Sequence, residues 1–558
     1  MNRIRLTATC LLLMISFCSN AQFTDSIDQD FGVDGISLKT FETDFTPIEL
    51  AVLQNDQLLV LGRANFGNSF FTIAKFDANG QSLVPGYGLF NGFSQFGTSS
   101  GGIPTGLRAT DMLLLEDESV IISGSSFNII TSKFELFAMK LTPQGLIDTQ
   151  FGTNGITNFP VFSVLNSPIH GYGTDIAKGQ NGEFFVSGKI EESFLAIVKF
   201  NANGQVANSF GDNGLVKVEH RIPNATRGSE VELFSDGRIL VSADIETYPN
   251  GFQFPEDQPA FYAFLPNGDL DPDFIQGVRT LSRNVILGID NQITIEYEDY
   301  FQGKLVVNAD DKAFLSGAVR DLDAVSTDFN TYLISILSNG EYNTEIGVNP
   351  DFDTLAADFR ISVPGMILLS TNFTQDESST SMLLLNDGTM ILAGHEYGTD
   401  GISGTIRHVD NTGNPFVDFA NQGVFKYQQQ LNSLNEGFLA TAIQSNGEVV
   451  FLSPYKDDQN KLGMYMIRLG ETGASSSTEN LNTVDKLLVF PNPSTADVFV
   501  KTHQNQTLSG LKLFDLSGRL VSVSANNHSF NLMNLDKGVY IIEAHVDDIK
   551  IRKRVIHN

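Results

Sequence analysis

The chain has 558 residues, with 65 acidic against 35 basic side chains and a formal charge of −30. That balance argues against nucleic acid or an anionic membrane as partner, because both are gripped through basic patches. Solubility outside the cell accounts for it, and a domain of this length can bury a sufficient core without disulfides.

Met1 to Ala21 reads as a secretory signal. Arg3 and Arg5 open it, Leu11 to Ile15 form a short apolar core, and Ser19-Asn20-Ala21 supplies small residues ahead of a cut between Ala21 and Gln22. The apolar core is too short to span a bilayer, and no other stretch approaches that length. A lipoprotein reading of Cys18 fails on the bulky Phe17 before it. Both cysteines, Cys10 and Cys18, leave with the signal, so the mature chain has none.

A repeat with a period of roughly sixty residues occupies the next stretch, up to Gly473. It is sharpest at Asn201-Ala202-Asn203-Gly204, followed six residues on by Phe210-Gly211-Asp212-Asn213-Gly214. Gly145 leads likewise to Phe151-Gly152, Gly268 to Phe274, Gly340 to Ile346-Gly347 and Gly413 to Phe419, while after Gly80 the motif decays into Gly86-Tyr87-Gly88. Each unit also holds an apolar run ending in small residues, such as Val120-Ile121-Ile122-Ser123-Gly124 or Phe184-Phe185-Val186-Ser187-Gly188. Asn181-Gly182, Asp236-Gly237, Asp387-Gly388 and Asn446-Gly447 precede such runs as hairpin turns. A third run, such as Phe194 to Phe200, ends at the next glycine turn.

Four antiparallel strands per unit make one propeller blade. Phenylalanine, at 44 residues with no tryptophan, carries the core. Seven units bear hairpins. The last lacks a Phe-Gly motif after it, and the first motif, Phe31-Gly32-Val33-Asp34-Gly35, lacks a hairpin before it. Joining these orphans removes two open edges. The expected fold is all-β: a seven-bladed β-propeller closed by the N-terminal strand, followed by a small C-terminal Ig-like β-sandwich; an open solenoid is the alternative. The boundaries are 1–21 signal, 22–473 propeller, 474–483 linker and 484–558 C-terminal domain.

In that last domain Leu487-Leu488-Val489-Phe490, Val498-Phe499-Val500, Leu511 to Asp515 and Val539 to Glu543 read as short strands, separated by turns at Ser517-Gly518-Arg519 and Asp536-Lys537-Gly538.

Two resemblances follow. The repeat, best seen in Gly145-Leu146-Ile147-Asp148-Thr149-Gln150-Phe151-Gly152 and Asp269-Leu270-Asp271-Pro272-Asp273-Phe274, resembles the delta-60 repeat family over residues 23–473; this implies a propeller-like array without known catalytic residues. The C-terminal domain resembles the type A sorting domain of type IX secretion. Its motif residues are Pro491, Asn492, Pro493, Gly518, Gly538 and Tyr540, with the basic tail Lys550 to Val555. The resemblance implies handling by the type IX secretion machinery, passage through the periplasm, and arrival outside the cell or on its outer surface.

Chemistry is sparse. Gly97-Thr98-Ser99-Ser100-Gly101 fits a nucleophile-elbow pattern but lacks the strand and helix that pattern requires, so it reads as a loop. His170, His220, His395 and His408 form no pair at metal-ligand spacing. Asp269, Asp271 and Asp273, and more loosely Asp25, Asp28 and Asp30, resemble the start of a calcium loop, but no distal glutamate follows and the positions coincide with the repeat turn. Glu256-Asp257 and Glu296 to Asp299 read as solvated loop charges. Tyr297, Tyr300 and Tyr397 are the aromatics available for a sugar platform.

The sequence therefore predicts a non-enzymatic binding or adhesion module with no catalytic, cofactor or metal residues. Its unknown extracellular ligand is expected to meet long insertions near 84–108, 245–258 and 341–379. The alternatives are a polysaccharide hydrolase or lyase with clustered carboxylates at the funnel, or a structural spacer.

Overall fold

The computed structural model describes residues 25–557 apart from short intervening stretches, the longer of which are 64–69, 98–105, 219–228, 248–255, 281–285, 288–293, 322–328, 347–361, 370–374, 428–436, 471–486 and 503–507. The chain divides into two compact units, Met1–Thr472 and Gly473–Asn558. Strands dominate both. Among the described residues the one helical element is a short 3-10 turn, Gln180–Gly182.

Antiparallel sheets of four strands follow one another along the first unit. The first runs Thr46–Val52, Leu58–Arg63, Phe71–Phe76 and Phe93–Phe96; the second Leu107–Leu114, Val120–Asn128, Lys133–Leu141 and Ile156–Phe159; the third Gly171–Lys178, Phe184–Ile190, Phe194–Phe200 and Leu215–Val218. The fourth holds Glu230–Leu233, Ile239–Thr247, Glu256–Phe264 and Val278–Thr280, and the sixth Glu377–Leu384, Met390–Gly398, Gly401–Val409 and Val424–Tyr427. In the fifth, Tyr297–Val307, Ala313–Asp321 and Phe329–Ile336 are joined by Met366–Leu368 and the short Ser362–Val363. The seventh takes Ala440–Ile443, Val449–Lys456 and Leu462–Leu469 from the end of the unit. Its fourth strand is Ile36–Thr40, whose Ile36 lies opposite Ile467.

Apolar side chains leave these sheets on both faces, so each core cluster belongs to two sheets. Leu59, Leu61 and Phe71 of the first pack with Ile122, Phe137 and Met139 of the second. Leu58, Val60 and Phe76 pack on the other side with Val450, Leu452 and Met464 of the seventh, around Phe31. The result is a propeller-like arrangement of face-packed sheets.

The repeat motif is the joint between them. In the third sheet Ala207 N–H bonds to Lys199 O at 2.9 Å and Phe210 N–H back to Ala207 O at 2.9 Å, which bends the chain into the fourth strand. Gly211, with φ +50°, then donates its N–H to Asn267 O in the glycine turn of the next sheet, at 2.8 Å. Gly152 does the same to Asn203 and Gly32 to Asn79. At Gly80, Gly145, Gly204 and Gly340 the turn glycine itself lies against the previous sheet's aromatic ring: a Cβ on Gly204 would stand 2.6 Å from the Phe151 ring, and one on Gly80 2.6 Å from Phe31. Tyr87 takes the place of phenylalanine in the first sheet, against Gly145.

Four expectations need correction. Phe93–Phe96 is a strand directly before Gly97, where the sequence reading placed none, because it pairs with Phe71–Phe76 as the outer strand of the first sheet. Residues 245–247 and 256–258 continue the paired strands Ile239–Thr247 and Glu256–Phe264, so that insertion is shorter than read and Glu256-Asp257 are strand rather than loop positions. Tyr297 to Asp299 likewise open a strand. In the fifth sheet the Phe-Gly motif is split: Gly365, far from Ile346 in sequence, takes up its role, donating to Ile346 O at 3.1 Å and accepting from Ser335 N–H at 2.9 Å.

In the second unit Leu487–Phe490, Asp497–Thr502 and Ser529–Asn531 form one sheet. Leu520–Val523, Leu508–Asp515, Gly538–Val546 and Ile549–His557 form the other. Val498, Val500, Leu513, Phe530 and Ile542 share their core.

Candidate functional site

Most of the first strands carry a β-bulge at the same point. The register shifts lie between Pro47 and Glu49, Ala109 and Asp111, Gly173 and Asp175, Gln302 and Leu305, and Ser379 and Ser381. A bulge re-aims the residues around it, and the second strand makes room by omitting a side chain. A Cβ on Gly124, Gly188 or Gly394 would collide with the carbonyl oxygen of Arg108, Tyr172 or Ser378. The small residues that end the apolar runs follow from this contact.

The first strands of the seven sheets described above, five of them bulged, and the adjoining Leu439 line one cavity of about 210 Å³. Glu49, Asp111, Asp175, Glu230 and Lys304 supply its charge, and Thr110, Thr174, Thr380, Ser381 and Thr441 its hydroxyls. Glu49 accepts Leu50 N–H within its own strand at 3.0 Å, while most of the others reach across a seam between sheets. Ile176 N–H donates to Asp111 Oδ2 at 3.2 Å, and Val231 N–H to Asp175 Oδ2 at 2.7 Å. Thr110 Oγ1 donates to Gly173 O at 3.2 Å, Thr174 Oγ1 to Ser229 O at 2.8 Å, and Thr380 Oγ1 to Phe438 O. Lys304 Nζ lies 2.8 Å from Glu230 Oε2 and 3.4 Å from Asp175 Oδ1.

Burial sets the ionisation of these groups. It pushes Asp111 well above the usual carboxylate range, helped by its hydrogen bond to Asp175. Glu49 rises for the same reason, against the pull of Lys304. Burial with the neighbouring Asp175 charge raises Glu230 to about 7, and burial raises Glu232 to about 8. For Asp175 burial acts upward but is outweighed by Lys304, the Asp111 hydrogen bond and Val231 N–H, so it stays below the ordinary value. Lys304 is opposed by burial yet held high by the carboxylates around it.

Chemically this sets one carboxyl pushed upward beside one held low, the asymmetry that acid–base catalysis uses. The oxygens are committed elsewhere, however: Asp111 accepts Met112 N–H at 2.8 Å as well as Ile176 N–H. The cavity also falls short of the ~300–1,000 Å³ of typical ligand pockets. Among the described residues no three Asp, Glu, His or Cys side chains converge to hold a metal ion.

The positions singled out in the sequence lie apart from this cluster. Asp271 is buried, taking Arg238 Nη1 at 2.8 Å and Asp273 N–H at 3.0 Å, a turn brace. Asp28, the matching position, pairs with Arg468, whose Nε lies 2.9 Å away. His170 Nδ1 accepts Phe134 N–H at 3.2 Å, His395 meets Tyr397 edge-on, and His408 bonds Thr389 Oγ1 and packs on Phe416. Gly538 opens a strand, and Tyr540 in the same strand is buried opposite Val555. Ala21, Gln22, Thr98 to Gly101, His220, Pro491, Asn492, Pro493 and Gly518 lie outside the described residues.

Sequence reasoning missed the central cluster. Its one local signal is the recurrence of Thr110-Asp111 as Thr174-Asp175 and Thr380-Ser381, each shortly before a hairpin turn.

Residues 488–558 match the family model of the secretion system C-terminal sorting domain. No curated protein matches the chain. Among solved structures, extracellular domains 1–2 of Drosophila Semaphorin 1b are similar at 9% identity, over 92% of this chain and 94% of that one, with a TM-score of 0.41. The GH93 alpha-L-arabinofuranosidase of Fusarium graminearum, in complex with arabinobiose, is 7% identical over 64% of this chain and 92% of its own, with a TM-score of 0.36. PorZ, an essential bacterial surface component of the type-IX secretion system of Porphyromonas gingivalis, is 9% identical over 94% and 100%, with a TM-score of 0.17. Likenesses this distant carry no argument about activity. The sorting tail does: it marks the chain for type IX export to the cell surface or the extracellular space. No helix among the described residues is long and apolar enough to cross a membrane.

Proposed function

We propose that this chain is a secreted or surface-held binding module without enzymatic activity: a seven-bladed propeller of delta-60 repeats, closed by its N-terminal strand and delivered by its C-terminal domain. The observation that carries the reading is the commitment of the central polar groups. Val231 N–H on Asp175, Ile176 N–H on Asp111 and the threonine-to-carbonyl bonds tie neighbouring sheets together, so the cluster reads as internal stapling. Pairing of Ile36–Thr40 with Leu462–Leu469 and the Asp28–Arg468 ion pair support closure.

In this reading the signal is cut between Ala21 and Gln22, residues 22–473 form the propeller, 474–483 the linker, and 484–558 an Ig-like sandwich read by the export machinery. The insertions within 84–108, 245–258 and 341–379 contribute recognition surface. Deleting 484–558 is expected to strand the protein in the periplasm, followed by immunoblotting of periplasm and medium; undiminished protein in the medium would overturn the export reading.

One observation favours a second reading. Burial pushes Asp111 well above the usual carboxylate range while Lys304 and hydrogen bonds hold Asp175 beside it below that range, an asymmetry that a polysaccharide hydrolase or lyase would use. Release of reducing ends from a polysaccharide, abolished by Asp175→Asn with the melting temperature intact, would establish it.

A further inference from the structure

A few residues along the same strands from the central cluster, a broader groove of about 880 Å³ opens among the hairpin turns of the first, second, sixth and seventh sheets. Its floor is apolar: Val52, Leu115, Leu385 and Ile443 line it and are each half-buried, so part of every side chain faces the groove. Its rim is acidic, with Asp56, Glu116, Glu118 and Asp387.

The only cation lining the groove is Lys178, and Glu116 already holds it at 2.7 Å. The other three carboxylates are oriented by neutral donors. Asp56 takes Ser445 N–H and Oγ, both at 2.6 Å; Glu118 takes Gln54 N–H at 3.3 Å; Asp387 takes Thr389 N–H at 3.0 Å. Neutral donors fix a carboxylate without cancelling its charge. Among the described residues no salt bridge engages these three carboxylates, although the Glu118 charge acts on Lys75 and that of Asp387 on His408, and they stand around a floor that excludes water from any side chain laid on it.

We propose that this groove receives an extended segment of a partner protein in which basic and apolar side chains alternate. The apolar residues and the aliphatic stems of lysine or arginine would cover the leucine floor, and their charged heads would reach the rim carboxylates. A purely apolar segment would leave the rim charges facing it, and a purely polar one would leave the floor wet. The proposal rests on the reading of the module as a binder and assigns that function a place and a partner chemistry.

The test uses the mature full-length chain and two labelled peptides, one alternating lysine and leucine, the other lysine and serine, followed by fluorescence anisotropy at low and high salt. The lysine–leucine peptide is expected to bind, and to bind about tenfold more weakly to the double variant Asp56→Asn/Asp387→Asn and, separately, to Leu115→Ser. High salt should weaken the first contribution and spare the second. Unchanged melting temperatures certify that the variants fold. Absence of binding, equal affinity for the variants, or equal affinity for the lysine–serine peptide overturns the groove, the last two marking diffuse adsorption to an acidic surface. Binding to another ligand with the peptide ignored refutes the groove alone, whereas polysaccharide cleavage refutes the binding-module reading itself.

Discussion

Asp56, Glu118 and Asp311 occupy the hairpin position that is glycine in the other four units, and each keeps the left-handed backbone, with φ of 62°, 62° and 58°. A side chain there costs about 1–2 kcal/mol, and what offsets it is a latch to the preceding hairpin. Asp311 accepts Ser235 N–H at 2.7 Å and Ser235 Oγ–H at 2.6 Å, as Asp56 does from Ser445. Asp311→Ala keeps the strain and loses the latch, so it should destabilise by about 1–2 kcal/mol; Asp311→Gly loses the latch but relieves the strain, and should fall between Ala and the natural chain in denaturant midpoint. Equal loss for both would remove strain from the account. Lys304 is a second decisive residue. Lys304→Met leaves Asp175 and Glu230 without their cation, at an expected cost of about 2–3 kcal/mol, and the deficit should shrink as pH falls and the two carboxyls take up protons. Glu232 works in the opposite sense. Its value of about 8 when folded, against an ordinary 4.5 for the unfolded chain, means the folded chain holds the extra proton between them, so stability declines as pH rises through that window. Glu232→Gln should therefore change little below about pH 4.5, stabilise the protein increasingly up to about pH 8, and hold that gain at alkaline pH, in paired thermal melts.

Within a sheet the repeat's two signatures have separate causes. The turn residues Gly80, Gly145, Gly204 and Gly340 are small because the previous sheet's aromatic ring lies against them, whereas Gly268 meets the Gly211 backbone and Val216, and Gly413 meets aliphatic side chains. Gly204→Ala is expected to lower stability by about 2–4 kcal/mol, since it must displace the buried Phe151 ring and adopt φ +80°; a melt within error of the natural chain would show that the seam yields. Both signatures were legible in the sequence because glycine and phenylalanine recur at fixed spacing. The bulges were not, since a bulge is a mismatch between two strands and leaves no composition of its own; Ile48, Thr110 and Gly303 hold matching places with unrelated side chains. Nor was the split motif of the fifth sheet, where Ile346 and Gly365 meet only in three dimensions. Charges dispersed at repeat spacing, from Glu49 to Lys304, gave no motif either, because what unites them is convergence on one cavity.

At the scale of the molecule the sorting tail was the most legible part, its turns and basic last strand standing in order before the chain ends. The arrangement of sheets follows from counting turns, while the role of the interior follows only from knowing which oxygens are already engaged. The account's central claim is that this interior staples the sheets and that the exported module binds without cutting. The most direct test is to melt the mature chain with a panel of soluble polysaccharides and surface extracts, with and without calcium, and to assay reducing ends in the same samples. Ligands that favour the folded state raise the melting temperature. The account predicts such a rise with no new chain ends; chain ends that accumulate with the natural protein, and fail to do so with a folded Asp175→Asn variant, would contradict it.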